Sequence, residues 1–252
     1  MKKHLVMLHG FGTDSRVFTS LASKLSRDYD AMMVDIPGHG QTKEKFGDFS
    51  FSAYTILHAL DVYLGEPYTL LGWSMGGQIA LEMYKHKLLH KCDDPGCKHD
   101  PIEKLILISS TPKFVESDDY KIGMNKAVFN KFKKGIKDDT EKTMEGFYEL
   151  IFSKGEDASK YIPSLKPLVP SPKTLIDCME SFERFDERKV LPQITVPTLI
   201  IAGDADKVID PKCSMYMSQE IKNSALRVYN NAGHAPFITN EEAVIEDVGR
   251  FI

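Results

Sequence analysis

Gly72-Trp73-Ser74-Met75-Gly76-Gly77 is the stretch whose reading decides the fold of this chain. It fits G-x-S-x-G, in which a serine sits at a sharp turn between a strand and a helix. Glycines two before and two after the serine leave room where a Cβ would meet neighbouring backbone. A serine hydroxyl is a weak nucleophile at neutral pH. It gains power when held proud of the backbone, beside a base and near donors for an oxyanion. The pattern also occurs in loops and helix starts without chemistry, so its flanks matter. Upstream, Tyr68–Leu71 is a short apolar run of buried-strand type; downstream, Gln78–Tyr84 has helical spacing and good helix formers. Strand, turn and helix stand in the required order.

Outward from this turn, apolar runs alternate with helical patterns. Strands are expected at Leu5–Leu8, Ala31–Val34, Tyr68–Leu71, Leu105–Ile108, Thr198–Ala202 and Leu226–Tyr229. Helices are expected at Val17–Leu25, Ala53–Leu64, Gly77–Lys87 and Lys212–Ile221, with a closing amphipathic helix from Glu241 to Ile252. That alternation predicts an α/β fold with a mostly parallel sheet flanked by helices on both faces. From about Pro112 to Leu191 the pattern is helical only, punctuated by Pro163, Pro167, Pro170 and Pro172. Roughly eighty residues exceed a crossover connection, so an inserted helical cap over the carboxyl ends of the strands is expected. The domain reading is a core of residues 1–111 and 191–252 with a cap of residues 112–190; a separate helical domain is the alternative.

A serine nucleophile needs a base, and the base needs an orienting carboxylate, here expected in the chain order Ser, acid, His. His234, in Asn231-Ala232-Gly233-His234-Ala235-Pro236-Phe237 after the last expected strand, is the candidate base. The acid is expected after Leu199–Gly203, where Asp206 is chosen over Asp204, with Asp210 close behind. The rival acid position after Leu105–Ile108 holds Ser109, Ser110 and Thr111, none of them a carboxylate. The oxyanion donors are expected to be the backbone N–H groups of Met75 and of Phe11, in His9-Gly10-Phe11-Gly12. His9 and Asp35-Ile36-Pro37-Gly38-His39-Gly40 are given structural roles.

Together these segments resemble the α/β-hydrolase family over essentially the whole chain, which implies its fold and a Ser74–Asp206–His234 triad. Gly72–Gly77, Ser109-Ser110-Thr111-Pro112 and Ala232–Phe237 resemble, more narrowly, the pimeloyl-[acyl-carrier protein] methyl ester esterases of biotin synthesis. That resemblance implies removal of a methyl group from a pimeloyl chain borne on acyl-carrier protein, beneath a helical cap and without a cofactor. It also implies substrate contacts from Trp73, Phe147 and Phe11, the last at a position where relatives often carry tryptophan. The alternative is a general short-chain carboxylesterase, or a C–C hydrolase or lyase with the same triad; a non-catalytic binding protein is a third reading.

The expected cap carries Lys121, Lys126, Lys131, Lys133, Lys134 and Lys137 between Tyr120 and Lys137 without an acidic residue. On a helix, Val128, Phe129, Phe132 and Ile136 share one face, and Lys126, Lys133, Lys134 and Lys137 fall away from it. A basic face on a chain of net charge −4 is a local field that could attract an acidic partner such as acyl-carrier protein; a solvated helix face is the plain alternative. Relatives place arginines on the cap, where this chain has Lys142 near one such position and Gly146 near another. His90, Cys92, Cys97 and His99 are close enough in sequence to bind zinc, but their spacing matches no standard finger, and an inert loop is preferred. The acidic balance gives no reason to expect nucleic acid, and no stretch is long enough to span a membrane. The apolar run after Met1-Lys2-Lys3 is too short for a secretory core, and four cysteines do not suggest a disulfide scaffold, so a reducing cytoplasm is expected; a monomer is expected as well.

Overall fold

The computed structural model describes residues 2–89, 102–165 and 170–252. Among them six strands form one sheet: β1 (Lys3–Leu8), β2 (Tyr29–Val34), β3 (Tyr68–Trp73), β4 (Ile102–Ile108), β5 (Thr198–Gly203) and β6 (Ser224–Tyr229). Their order is β2-β1-β3-β4-β5-β6, and every pair is parallel. The central strands β3 and β5 are buried throughout, as continuous apolar runs covered on both faces should be. The edge strands β2 and β6 expose part of their length instead. All six strands cover the segments expected from the sequence, each extended by one to three residues at an end.

Helices α1 (Thr19–Leu25), α2 (Phe49–Tyr63) and α3 (Met75–Leu89) lie between the first four strands. The single helix expected over Val17–Leu25 is split. Asp14 accepts the Arg16 N–H at 3.0 Å and opens a 3-10 turn over Ser15–Phe18 before α1 starts. Helix α2 starts at Phe49 rather than Ala53, because Asp48 caps it by accepting the Phe51 N–H at 2.7 Å. The residues it adds, Phe-Ser-Phe-Ser, are mediocre helix formers, so propensity alone starts the helix too late.

Between β4 and β5 the described residues form α4 (Lys126–Asp138), α5 (Thr140–Leu150), α6 (Ala158–Leu165) and α7 (Pro172–Arg184). Side-chain caps set three of these starts: Asn125 for α4, Asp139 for α5 and Ser171 for α7. This helical segment leaves and rejoins the sheet at one neck. Lys113 and Asp186 form an antiparallel bridge, and the Glu187 N–H donates to the Pro112 carbonyl at 2.8 Å. Arg188 grips Asp186 with two bonds of 2.7 Å and reaches Asp119 at 2.9 Å. After β5 come α8 (Lys212–Glu220), α9 (Pro236–Thr239) and α10 (Glu241–Phe251).

The strand order reverses between β1 and β3, so the loops leaving these two neighbours open side by side at the carboxyl edge of the sheet. Close packing there demands glycine. A Cβ on Gly76 would lie 2.1 Å from the Leu8 carbonyl oxygen, and one on Gly72 would lie 2.4 Å from that of Gly76. Gly146, within α5, has nothing within 4 Å of such an atom. Gly76→Ala is therefore expected to cost about 3 kcal/mol or more, since rigid backbone must move. Gly146→Ala should instead gain about 0.5–1 kcal/mol by removing a helical glycine. Urea unfolding of the two variants checks both signs.

Candidate active site

Ser74 sits between the last residue of β3 and the first of α3 with φ at 54°, a left-handed conformation that costs a non-glycine residue about 1–3 kcal/mol. The end of β4 and the loop after it hold it there. Its N–H donates to the Ile108 carbonyl at 2.9 Å, and the Ser110 hydroxyl donates to its carbonyl at 2.9 Å. Ser74 is on the wall of a cavity whose space, mouth included, is about 600 Å³. The wall is mostly aromatic and aliphatic: the Phe11 ring stands edge-on to Phe147 at 5.6 Å and to Phe182 at 5.7 Å, with Phe132 beside them. Lys207 is the one charged side chain on this wall among the described residues.

The loops after β5 and β6 meet at a buried acid–base pair. His234 Nδ1–H donates to Asp206 Oδ2 at 2.7 Å, with the two side chains 1% and 2% exposed. Asp206 Oδ1 accepts the N–H groups of Val208 at 2.8 Å and Ile209 at 3.0 Å, so both carboxylate oxygens are engaged. The bond at Nδ1 leaves Nε2 as the basic nitrogen. That atom is buried and makes no hydrogen bond with the described residues, so no bond joins it to the Ser74 hydroxyl in this structure. Such contacts are often long before substrate binds. Asp204, the other candidate acid, is exposed and accepts the Asn231 N–H at 2.6 Å, bracing the histidine loop. Asp210 accepts the Lys212 N–H at 2.9 Å, at the start of α8.

Trp73 is placed differently from the sequence expectation. It is 1% exposed, does not line the cavity, and donates its indole N–H to the His234 carbonyl at 2.8 Å. Its ring is wedged between Gly10, where a Cβ would lie 2.9 Å away, and Phe237, 5.1 Å between centroids. The substrate contact expected of Trp73 thus gives way to a structural one: it ties the serine turn to the histidine loop. Phe11 and Phe147 do line the cavity.

The loop carrying Phe11 is fixed by His9. Its Nδ1–H donates to the Gly10 carbonyl at 2.9 Å, and its Nε2 accepts the Ile36 N–H at 3.1 Å. That bonding requires a neutral ring, and burial lowers the His9 pKa despite the Gly10 carbonyl. Asp35 accepts the N–H groups of Ser15 at 2.9 Å and Gln41 at 2.8 Å. Burial pushes its carboxyl up, but these bonds outweigh that and hold its pKa below the ordinary value. The Met75 N–H, first in α3, has no acceptor within its helix.

The lysines separate. Lys126, Lys137 and Lys142 are exposed and make no ion pair among the described residues. Lys134 pairs with Asp138 along the helix. Lys133 departs from the expected basic face: it is 18% exposed and bound to Glu183 of α7 at 3.1 Å, so packing between α4 and α7 has consumed its charge. The zinc candidates His90, Cys92, Cys97 and His99 lie outside the described residues, and no cluster able to hold a metal occurs within them. No helix of the described residues is long and apolar enough to cross a membrane.

The pattern of the alpha/beta hydrolase fold matches residues 3–241. The chain belongs to the α/β-hydrolase family. Over 98% of its length this hydrolase is 29% identical to the pimeloyl-[acyl-carrier protein] methyl ester esterase of Nitrosospira multiformis, covering 93% of that protein. An esterase from Exiguobacterium antarcticum superposes with a TM-score of 0.87 at 28% identity, over 99% of this chain and 91% of the other. A bromoperoxidase from Bacillus anthracis, 24% identical over 100% of this chain and 92% of its own, shares the fold with a TM-score of 0.85.

Burial of His39 is expected to cost this hydrolase stability in acid. The His39 pKa is pushed down to about 3, by burial first and then by the His9 ring 5.1 Å away. Between that value and the ordinary 6.5, the unfolded chain takes up a proton that the folded chain refuses. Stability contributed by neutral His39 is therefore present above 6.5 and lost as pH falls below it. Glu82, raised to about 7 by burial and by Glu187, acts with the opposite sign between its ordinary 4.5 and 7. The comparison with His39→Asn isolates the histidine: the variant's melting temperature should fall less between pH 6.5 and 4 than that of the parent. Parallel curves would contradict the assignment.

Proposed function

We propose that the protein is a serine carboxylesterase that hydrolyses the methyl ester of pimeloyl-[acyl-carrier protein], with residues 112–190 acting as a cap on a core of residues 1–111 and 191–252. The observation that carries the chemistry is the buried His234–Asp206 pair beside an apolar cavity with a strained serine on its wall. The substrate rests on the full-length similarity to esterases of that name. A cavity walled by Phe11, Phe132, Phe147 and Phe182 suits a methylene chain, which gains about 0.8 kcal/mol per buried CH₂. A cytoplasmic location accords with this reading.

In the mechanism, Ser74 Oγ attacks the ester carbonyl while His234 Nε2 takes its proton. Asp206 keeps Nδ1 protonated and stabilises the imidazolium that forms. The carbonyl oxygen becomes an oxyanion held by the Phe11 and Met75 N–H groups. His234 then returns the proton to the departing methoxide, methanol leaves, and the acyl group remains on Ser74. Water, deprotonated by His234, attacks this second ester; the acid departs and Ser74 recovers its proton. Lys126, Lys137 and Lys142, with Lys134 beside Asp138, supply the basic face that an acidic carrier would meet.

Ser74→Ala is expected to lower ester hydrolysis about a thousandfold or more while the circular dichroism spectrum stays that of the parent. Retained hydrolysis would contradict the mechanism. The double change Lys126→Glu and Lys137→Glu should lower kcat/KM for the carrier-borne ester about tenfold, chiefly at low salt, and spare free dimethyl pimelate. Equal losses on both substrates would rule out carrier docking on α4.

A further inference from the structure

The turn between α5 and α6 is bonded to the histidine loop at Asn231, Gly233 and His234. The His234 N–H donates to the Ile151 carbonyl at 2.7 Å. The Gly233 N–H donates to both carboxylate oxygens of Glu156, each at 3.2 Å. The Ser153 N–H donates to Glu156 Oε2 at 2.6 Å, and the Ser153 hydroxyl donates to the Asn231 carbonyl at 2.7 Å. The approach is too close for a side chain, since a Cβ on Gly233 would lie 2.4 Å from the Ile151 carbonyl and 2.8 Å from Glu156 Oε2.

We propose that Glu156 is a positioning residue for the catalytic base: its carboxylate, on the helical insertion, binds the turn Ser153–Glu156 and the Gly233 N–H together and so sets where His234 presents Nε2. This rests on His234 being the base, as proposed above. Asn231 stands at φ 60°, a left-handed turn that asparagine adopts readily and that leads the chain into Gly233 and His234. Ala232 and Gly233 bring small or no side chains that could brace the ring, and the bracing comes from outside the loop. Gly233 precedes His234 directly. A shift of its peptide plane moves the imidazole relative to Ser74, and reaction rates are steep in such displacements. A charged acceptor makes a stronger bond to backbone N–H than a neutral one, so a carboxylate serving two donors at one turn is an effective clamp. The insertion then has two unlike ends. The α5–α6 turn is bonded to the histidine loop, whereas α4, with exposed Val128 on the cavity wall, borders the mouth.

The test uses the full chain with a free methyl ester such as dimethyl pimelate. Glu156→Ala is expected to lower kcat about tenfold to a hundredfold with KM within about twofold. Glu156→Gln keeps one acceptor oxygen for the Gly233 N–H and should regain most of that rate. The far-downfield proton resonance of His234 Nδ1–H, present in the parent, should shift or broaden in Glu156→Ala. Should that variant not fold, the same resonance in Glu156→Gln replaces it, with a smaller shift expected and an unmoved resonance counting against the proposal. A folded Glu156→Ala with parental kcat, or a loss that glutamine does not regain, would overturn it. A parent chain that hydrolyses no ester, or an active Ser74→Ala, would instead overturn the esterase reading, so the two failures are distinct.

Discussion

The hydrogen bond from His234 Nδ1 to Asp206 Oδ2, 2.7 Å long and shut away from solvent, is the contact on which the other features of this site depend. A buried carboxylate is costly unless its lone pairs are met, and this one meets two backbone N–H groups besides the imidazole. Those donors, from Val208 and Ile209, exist only because the chain turns tightly after β5. The imidazole arrives from the far end of β6, so both strands must sit in register for the pair to form. Fold and chemistry meet in that register: a slip of one residue would separate acid from base.

Around this pair, the molecule spends stability on geometry. Ser74 is held at a positive φ by an acceptor at the end of β4 and a donor in the loop after it, and the glycines beside it let α3 press against β1 with no room for a methyl group. Trp73 then links the two halves of the site. Its indole N–H reaches a carbonyl 161 residues away, and its ring fills the space between Gly10 and Phe237. Across the site, His9 does comparable work for the Phe11 loop, bonding one neighbour through each ring nitrogen. Burial keeps that ring neutral, which its two bonds require.

Much of this was legible in the sequence because it is written locally. Ser74, Asp206 and His234 each follow an apolar run and lie next to a glycine-bearing turn, and strand order places such turns at one edge of the sheet. What was not legible depends on partners distant in the chain. Trp73 looks like a pocket residue from its place beside Ser74, and only the fold shows its indole facing the backbone of His234. Lys133 shares a helix face with Lys126 and Lys137, yet Glu183 on α7 removes it from the basic set. Glu156 carries no signal at all in sequence: one acidic residue in a polar stretch, significant only because Gly233 lies against it. The helix starts at Phe49 and Ser15 differ from the pattern for a local reason, since the caps Asp48 and Asp14 override indifferent propensity.

The most direct measurement of the central claim is covalent labelling by an alkyl phosphonate ester whose phosphorus mimics the tetrahedral intermediate, followed by mass spectrometry of the digested protein. One adduct per chain on the peptide carrying Ser74, formed with loss of activity and strongly slowed by Asp206→Asn, is the result expected if the buried pair drives this serine. An adduct on another residue, or labelling of Ser74 at the parental rate after Asp206→Asn, would contradict it.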